Sequence, residues 1–350
     1  MTAVVDPSYQ LLACQYLRKQ LDTLVKEMRG VRENRDIEPV HQARVASRRM
    51  RAALRMFSEC FDSKRVSRWQ KRIRSLTKGL GGARDLDVQV AFMEDCLARL
   101  DAKDKKHRPG VERLLLRLRQ AREALQPKVV ETLDTLEQSD TLADMHGELA
   151  KVQFILRSRD VRCHSPFVYA RAVAHILDRQ RALLANVYSL TEPENISGHH
   201  QLRIDAKKLR YALEICDPAY DKQLASAIKV VKKVQSLLGD IHDCDVWVQD
   251  VEAFLEEERQ RTTKYFGHHG PFNRLKPGLQ MLIDERRAHR HGTFGELVTY
   301  WSTLDAERFW RDLETMVQSY VEVSNQSEDE TQDLEIYGTK DESGDDRADQ

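Results

Sequence analysis

The stretch VHQARVASRRMRAALRMF, Val40–Phe57, carries basic and apolar side chains at the spacing of an α-helix. On a helix of 3.6 residues per turn, its basic side chains fall within an arc of about 80°. They are His41, Arg44, Arg48, Arg51 and Arg55, with Arg49 flanking the row. Apolar residues with the same steps fall near the opposite side, as in a helix that is half buried in a core. We therefore predict a helix over residues 39–57 that presents a row of cations on one face.

A second stretch, HHQLRIDAKKLRYALEIC, His199–Cys216, repeats this pattern about 160 residues later. Its basic row is formed by His200, Arg203, Lys207 and Arg210, and Lys208 flanks it. The second row is shorter, because Glu214 stands where the first has Arg55. Asp205 interrupts the apolar side of this helix. The chain is therefore predicted to contain the same two-faced helix twice.

Further matches follow in the same order along the chain. LGGARDLDV, residues 80–88, aligns with LGDIHDCDV, residues 238–246, and RPGVERLLLRLRQAR, residues 108–122, aligns with KPGLQMLIDERRAHR, residues 276–290. Pro7, before the first basic stretch, likewise aligns with Pro166. Four matches in one order are hard to explain by chance. We interpret the body, residues 8–322, as two copies of one unit, over 8–150 and 166–322, with an insertion around 258–270 in the second copy.

Helical spacing in the first copy predicts helices over 7–29, 39–57, 64–78, 85–100 and 110–138. The intervening breaks carry Gly, Pro, Asn, Asp or Ser, as helix ends do. Alternating strand patterns are absent, and the chain has only 15 glycines and 9 prolines. We expect an all-α fold of two four-helix-bundle-like units related by a pseudo-twofold axis.

Two pairs of aspartates occupy equivalent places in the two copies, and they admit a metal-ligand or a helix-cap interpretation. The pairs are Asp85 with Asp87, and Asp243 with Asp245. We favour helix N-caps, because residues two apart do not face each other within a helix. Arg84 and His242 precede these pairs and could border a basic groove.

Charge is distributed unevenly along the chain. Ten of the 56 Asp and Glu residues, but only two of the 56 Lys and Arg residues, lie in 325–350, which leaves the preceding body near +8. The acidic tail, 325–350, is nearly free of large apolar residues, so its composition predicts disorder. Six scattered cysteines, and no signal peptide or apolar span of membrane length, predict a reduced, cytoplasmic protein without a membrane partner.

The helix that follows each basic helix also carries a cationic stripe. These stripes consist of Lys71, Arg74 and Lys78 in the first copy, and of Lys229 and Lys232 in the second. If both helices turn their cations the same way, a basic groove results. No acid relieves the first row between His41 and Arg55, and like charges at this spacing destabilise a helix. Donors 5–6 Å apart and the bidentate fork of arginine suit a linear chain of phosphates.

The motifs VHQARVASRRMRAAL with LGGARDLDV, and HHQLRIDAKKLRYALE with LGDIHDCDV, resemble the CHAD family, the conserved histidine α-helical domain. The resemblance covers residues 8–320 and implies two helical halves about a pseudo-twofold axis that bind inorganic polyphosphate. It places that role on His41, Arg44, Arg48, Arg49, Arg51, His200, Arg203, Lys207, Lys208 and Arg210. Arg55 and the two lysine-rich stripes are added from helix geometry alone. Some family members carry an adjoining triphosphate-processing domain with an ExExK signature, which this chain lacks.

Two other functions stay open at this point. A phosphohydrolase would use His41 or His200 as acid or base, but it would need a carboxylate cluster to hold a metal, and the basic rows contain none. A nucleic-acid binder would need aromatic side chains between the cations for base stacking, and these are also missing. We therefore expect polyphosphate binding without catalysis, cofactor or metal, with polyphosphate granules or polyphosphate-metabolising proteins as further partners.

Overall fold

The computed structural model describes residues 5–322, and all regular structure in this range is helical. The predicted all-α fold is thereby confirmed. The acidic tail over 325–350 lies outside the described residues. The helices are α1 Pro7–Glu33, α2 Glu38–Met56, α3 Ser63–Arg99, α4 Arg108–Glu137, α5 Thr141–Ser158, α6 Pro166–Leu184, α7 Ile196–Cys216, α8 Ala225–Phe266, α9 Lys276–Ala306 and α10 over 309–322.

Several helices begin where a short polar side chain can cap them. Asp6 accepts a hydrogen bond from the backbone N–H of Tyr9 and precedes Pro7, the first residue of α1. Ser165 caps α6 in the same way, and Asn195 caps α7. These side chains satisfy backbone N–H groups that have no partner inside the helix. The cap of α7 fixes where the second basic row begins.

A single helix, α3, replaces the two helices predicted over 64–78 and 85–100. Gly79 does not end a helix here but permits close packing, because an added Cβ would stand 2.5 Å from Cγ2 of Thr132 on α4. α8 is continuous across the equivalent region. The glycines were therefore misread as breaks, since a glycine that serves helix packing looks the same in sequence as one at a helix end.

The helix-cap interpretation of the paired aspartates is wrong, because all four lie inside α3 or α8. Asp87 is buried and accepts a hydrogen bond at 2.5 Å from Nε of Arg122 on α4. Asp245 is buried in the same way against Arg290 on α9, also at 2.5 Å. The second aspartate of each pair therefore joins two long helices through a buried ion pair.

In the first half, the main core lies where α1, α2 and α5 pack around the first part of α3. In the second half, it lies where α6, α7 and α10 pack with the first part of α8. The apolar sides of the two basic helices are buried in it as predicted, through Ala43, Met50, Leu202 and Leu209. All six cysteines are buried free thiols. No helix of residues 5–322 is long and apolar enough to span a bilayer.

The C-terminal parts of α3 and α8 and the N-terminal parts of α4 and α9 form a separate bundle with its own core. This distal core contains Met93, Val111, Leu115, Trp247 and Leu279. Its four helices come from the hairpin of α3 with α4 and the hairpin of α8 with α9. The distal bundle therefore joins the two halves of the chain.

The two glycines of the aligned RPGV and KPGL motifs meet at the contact between α4 and α9. A Cβ added to Gly278 would stand 2.0 Å from the carbonyl oxygen of His107, and one added to Gly110 would stand 2.2 Å from that of Leu275. Each added Cβ would also lie within 3.3 Å of the other glycine's Cα. Glycine is needed at both positions because the two backbones touch.

Contacts between α3 and α8 are reciprocal in the alignment of the two copies. Gln89 donates a hydrogen bond to Asp250, and Phe92 packs against Trp247 with ring centroids 4.9 Å apart. In the alignment, Trp247 matches Gln89 and Asp250 matches Phe92. A twofold axis between the halves would produce such pairs, and the duplication itself stays a prediction from the sequence.

Candidate anion-binding site

The two basic helices, α2 and α7, contact each other, and a cavity of about 620 Å³ lies beside this contact. Side chains from both halves of the chain line the cavity. Its basic residues are His41, Arg44, Arg48, Arg51, Arg84, Arg203, Lys207 and His242. Six of these are Arg or Lys, whereas the lining contains three carboxylates, Asp85, Asp243 and Asp250. The cavity therefore carries an excess of positive charge.

Helical spacing explains how the cations reach the cavity. Arg44, Arg48 and Arg51 follow one another at steps of four and three residues, which keeps them on one face of α2. Arg203 and Lys207 are four residues apart on α7 and face the same space. The apolar sides of both helices are held in the main core, so the cationic faces are oriented by packing.

Lys207 shows how strongly the cations affect one another. Burial, and then the charges of Arg48, Arg203 and Arg44, lower the pKa of Lys207 to about 8. A lysine gives up its proton more readily when its ammonium ion is desolvated among like charges. The positive charge in the cavity is thus incompletely balanced by the protein's own acids.

Two arginines of the cavity have weak internal partners. The nearest carboxylate to Arg44 is that of the exposed Asp85, 3.6 Å from Nη2, while Nε of Arg44 is buried without a hydrogen-bond acceptor. Burial lowers the pKa of Arg203, and the nearby Asp243 offsets only part of this effect. Unsatisfied guanidinium N–H groups are what an anion's oxygens would bind.

Burial and nearby charges disfavour the protonated form of His41 and His242, the two histidines that line the cavity. Burial, and then the charge of Arg84, lower the pKa of His41. Burial, Arg203 and His200 lower the pKa of His242 to about 4. The Nδ1 atoms of His200 and His242 are 3.3 Å apart, and both residues line an adjoining cavity of about 560 Å³. His200 is thus placed beside the main cavity, with His242 shared between the two spaces.

Three of the predicted binding residues are instead engaged with acids of the chain. Arg49 donates to both carboxylate oxygens of Glu214, at 3.0 and 3.1 Å. Arg210 lies 3.4 Å from the same carboxylate. Lys208 donates at 2.8 Å to the buried Asp205, which explains why an acid interrupts the apolar side of α7.

The remaining predicted cations do not line the cavity and are exposed to solvent. They are Arg55, Lys71, Arg74, Lys78, Lys229 and Lys232. The lysine-rich stripes of α3 and α8 therefore lie outside the cavity, and their part in ligand binding stays a prediction. These helices reach the cavity further along, through Arg84 and His242. The motifs that align the two copies marked those residues, whereas nothing in the sequence singled out Asp250.

The fold and the cavity define an all-helical protein with a cationic site shared by its two halves. The family model of the CHAD domain matches residues 15–252, and the chain therefore belongs to the CHAD domain family. A comparison with curated proteins gave no match.

Two solved structures are similar to this chain. One is the CHAD domain from the plant Ricinus communis, with 21% identity, a TM-score of 0.54, and coverage of 83% of this chain and 95% of that chain. The other is PptA from Streptomyces chartreusis, with 16% identity, a TM-score of 0.55, and coverage of 85% and 100%. At these identities the similarity establishes the fold.

Proposed function

We propose that this protein binds inorganic polyphosphate in the cationic cavity between α2 and α7, without hydrolysing it. The observation that carries the proposal is the convergence of six Arg and Lys side chains from both halves on one space with three carboxylates. An anion would neutralise this charge and satisfy the buried Nε of Arg44. The energy stored in unbalanced like charges then becomes available as binding affinity.

A linear polyanion suits the cavity better than a single small phosphate. The guanidiniums of Arg44, Arg48 and Arg51 are spread along two turns of α2, and α7 adds Arg203 and Lys207 from the other half. Neighbours three and four residues apart on a helix are about 5–6 Å apart. A chain of phosphates can contact several such donors in succession, whereas one phosphate reaches only a few.

The acids at the cavity favour binding over turnover. Asp85 faces Arg44, and Asp243 lies close enough to Arg203 to affect its pKa. Each of these carboxylates thus lies beside an arginine, and no group of three or more His, Cys, Asp or Glu side chains within residues 5–322 is arranged to hold a metal ion. Hydrolysis of a phosphoanhydride generally relies on a metal ion that stabilises the attacking and leaving oxygens, and such an ion needs carboxylates free to ligate it.

The proposal is tested by titrating the protein with polyphosphate at increasing salt while phosphate release is measured with Mg²⁺ present. We expect binding that weakens steeply with salt, because counter-ions are released when charges pair, and we expect no phosphate release. Competition with single-stranded RNA of matched charge should favour polyphosphate. Absence of binding, phosphate release, or tighter binding of RNA would each contradict the proposal.

Location in the cell follows from the proposed ligand. A cytoplasmic protein that binds polyphosphate through charge would accompany the polymer wherever it accumulates. We therefore propose association with polyphosphate granules or with proteins that metabolise polyphosphate.

A further inference from the structure

The cationic row of α2 continues beyond the cavity. Arg51 lines the cavity, Arg55 follows one turn later on the same face, and Arg74 belongs to the neighbouring helix α3. Arg55 and Arg74 are exposed to solvent. Together these three arginines, which we call the exit track, form a basic surface that begins at the cavity lining and continues onto exposed residues.

Two hydrogen bonds between α3 and α2 fix the position of Arg74 along the axis of α2. Gln70 donates at 3.0 Å to the carbonyl oxygen of Leu54, and Thr77 donates at 3.1 Å to the hydroxyl of Ser47. Arg74 lies between Gln70 and Thr77 on α3 and therefore lies beside the middle of the α2 segment 47–54. Arg51 occupies that middle, so the two arginines stand at the same level.

The exit track has no acidic partner within the part of the chain that the structure describes. Among residues 5–322, none of its three arginines forms an ion pair. Burial, and then the charges of Arg55, Arg74 and Arg48, lower the pKa of Arg51. The track thus shares the electrostatic character of the cavity and is continuous with it.

On the other half, the counterparts of Arg51 and Arg55 neutralise each other, and the counterpart of Arg74 is the exposed Lys232. The alignment of the two basic helices matches Arg210 with Arg51 and Glu214 with Arg55. Glu214 accepts two hydrogen bonds from Arg49 and lies 3.4 Å from Arg210. Glu214 therefore engages Arg210 of its own helix and Arg49 of α2, whereas no carboxylate of residues 5–322 pairs with the three arginines of the exit track.

We propose that a bound polyphosphate leaves the cavity over the exit track and that this track gives the protein a preference for long chains. The inference rests on the proposed function, because it extends the same ligand beyond the cavity. Arg44 and Arg55 are eleven residues apart, which corresponds to about 16 Å along α2 at 1.5 Å per residue. Tripolyphosphate is too short to occupy the cavity and the track together. A chain of several tens of phosphates covers both.

The experiment compares the dissociation constants of tripolyphosphate and of a chain of several tens of phosphates at one salt concentration. In Arg55→Ala/Arg74→Ala we expect the long chain to bind about tenfold more weakly, because two phosphate contacts are lost. Tripolyphosphate should bind as in the wild type. Arg44→Ala/Arg203→Ala serves as the cavity variant and should weaken both ligands.

Lys128→Ala/Lys151→Ala is the matched control, since it also removes two exposed cations, on α4 and α5 outside the cavity. We expect it to leave the affinity for both ligands unchanged. Three outcomes would overturn the exit track. The control could lose as much affinity for the long chain as Arg55→Ala/Arg74→Ala does. The Arg55→Ala/Arg74→Ala variant could bind the long chain normally, or it could bind both ligands equally more weakly. Such outcomes, with the cavity variant still impaired, would leave the proposed function intact. A wild-type protein that binds neither ligand would refute both proposals.

Discussion

Lys207 gives the cavity a measurable dependence on pH. Its pKa in the free protein is lowered to about 8 by burial and by the charges of three arginines. A bound polyanion would neutralise those charges and return the pKa to at least its ordinary value of about 10.4. Polyphosphate therefore binds more tightly to the protonated form. The affinity is highest below pH 8, where Lys207 is protonated in both the free and the bound protein, and it declines as the pH rises from 8 towards 10.4.

The size of the effect follows from the two pKa values. Between pH 7 and pH 9, a shift from about 8 to about 10.4 lowers the affinity about tenfold. At pH 9, binding should take up about 0.9 proton per site, because the free lysine is mostly neutral and the bound one is mostly charged. Phosphate groups, with a second pKa near 6, stay ionised across this range. A bound polyanion would also return the lowered pKa values of His41 and His242 towards the ordinary value of about 6.5, which still leaves both histidines mostly neutral between pH 7 and pH 9.

Isothermal titration calorimetry at pH 7 and pH 9 measures the affinity, and two buffers of different ionisation enthalpy give the proton uptake. Lys207→Arg is the matched control, because a guanidinium keeps its charge at both pH values. We expect its affinity to change little between pH 7 and pH 9. Equal wild-type affinities at the two pH values, or an equal decline in Lys207→Arg, would refute the role assigned to Lys207.

Three further predictions concern the helix packing that positions the site and the acidic tail of the chain. Gly278→Ala should lower the free energy of unfolding, measured in urea, by about 1–3 kcal/mol, because the added Cβ would meet the backbone at the start of α4. Gly147→Ala is the control: it has open space around it and should be neutral or stabilising. Arg122→Met should cost about 3–5 kcal/mol in the same assay, because it leaves Asp87 buried without its partner; an unchanged midpoint would contradict this. Deleting 325–350 removes a net charge of −8 and should tighten polyphosphate binding at low salt, and an unchanged affinity would show that the tail does not compete.

The sequence predicted the features that repeat with a helical period. The all-α fold and the apolar sides of the two basic helices follow from spacing alone, and the structure confirms both. Spacing also places Arg44, Arg48, Arg203 and Lys207 on the cationic faces of the two basic helices. The structure brings these four residues together in one cavity, and their role as ligand contacts stays a prediction.

Other features depend on contacts between distant parts of the chain and could not be predicted. Gly79 was misread as a helix break because its role depends on Thr132 of another helix. Arg49 flanks the cationic row and was predicted to bind the ligand, but Glu214, far away in sequence, accepts hydrogen bonds from its guanidinium. A helical pattern shows which face a residue lies on, and only the packing of helices shows what that face meets.

The central claim is that arginines from the two halves act on one ligand. Replacing one arginine from each half, in Arg44→Ala/Arg203→Ala, and measuring the dissociation constant of polyphosphate tests this claim most directly. The account predicts binding at least about tenfold weaker, with a helical circular dichroism spectrum like that of the wild type. Wild-type affinity in a correctly folded double variant would contradict it.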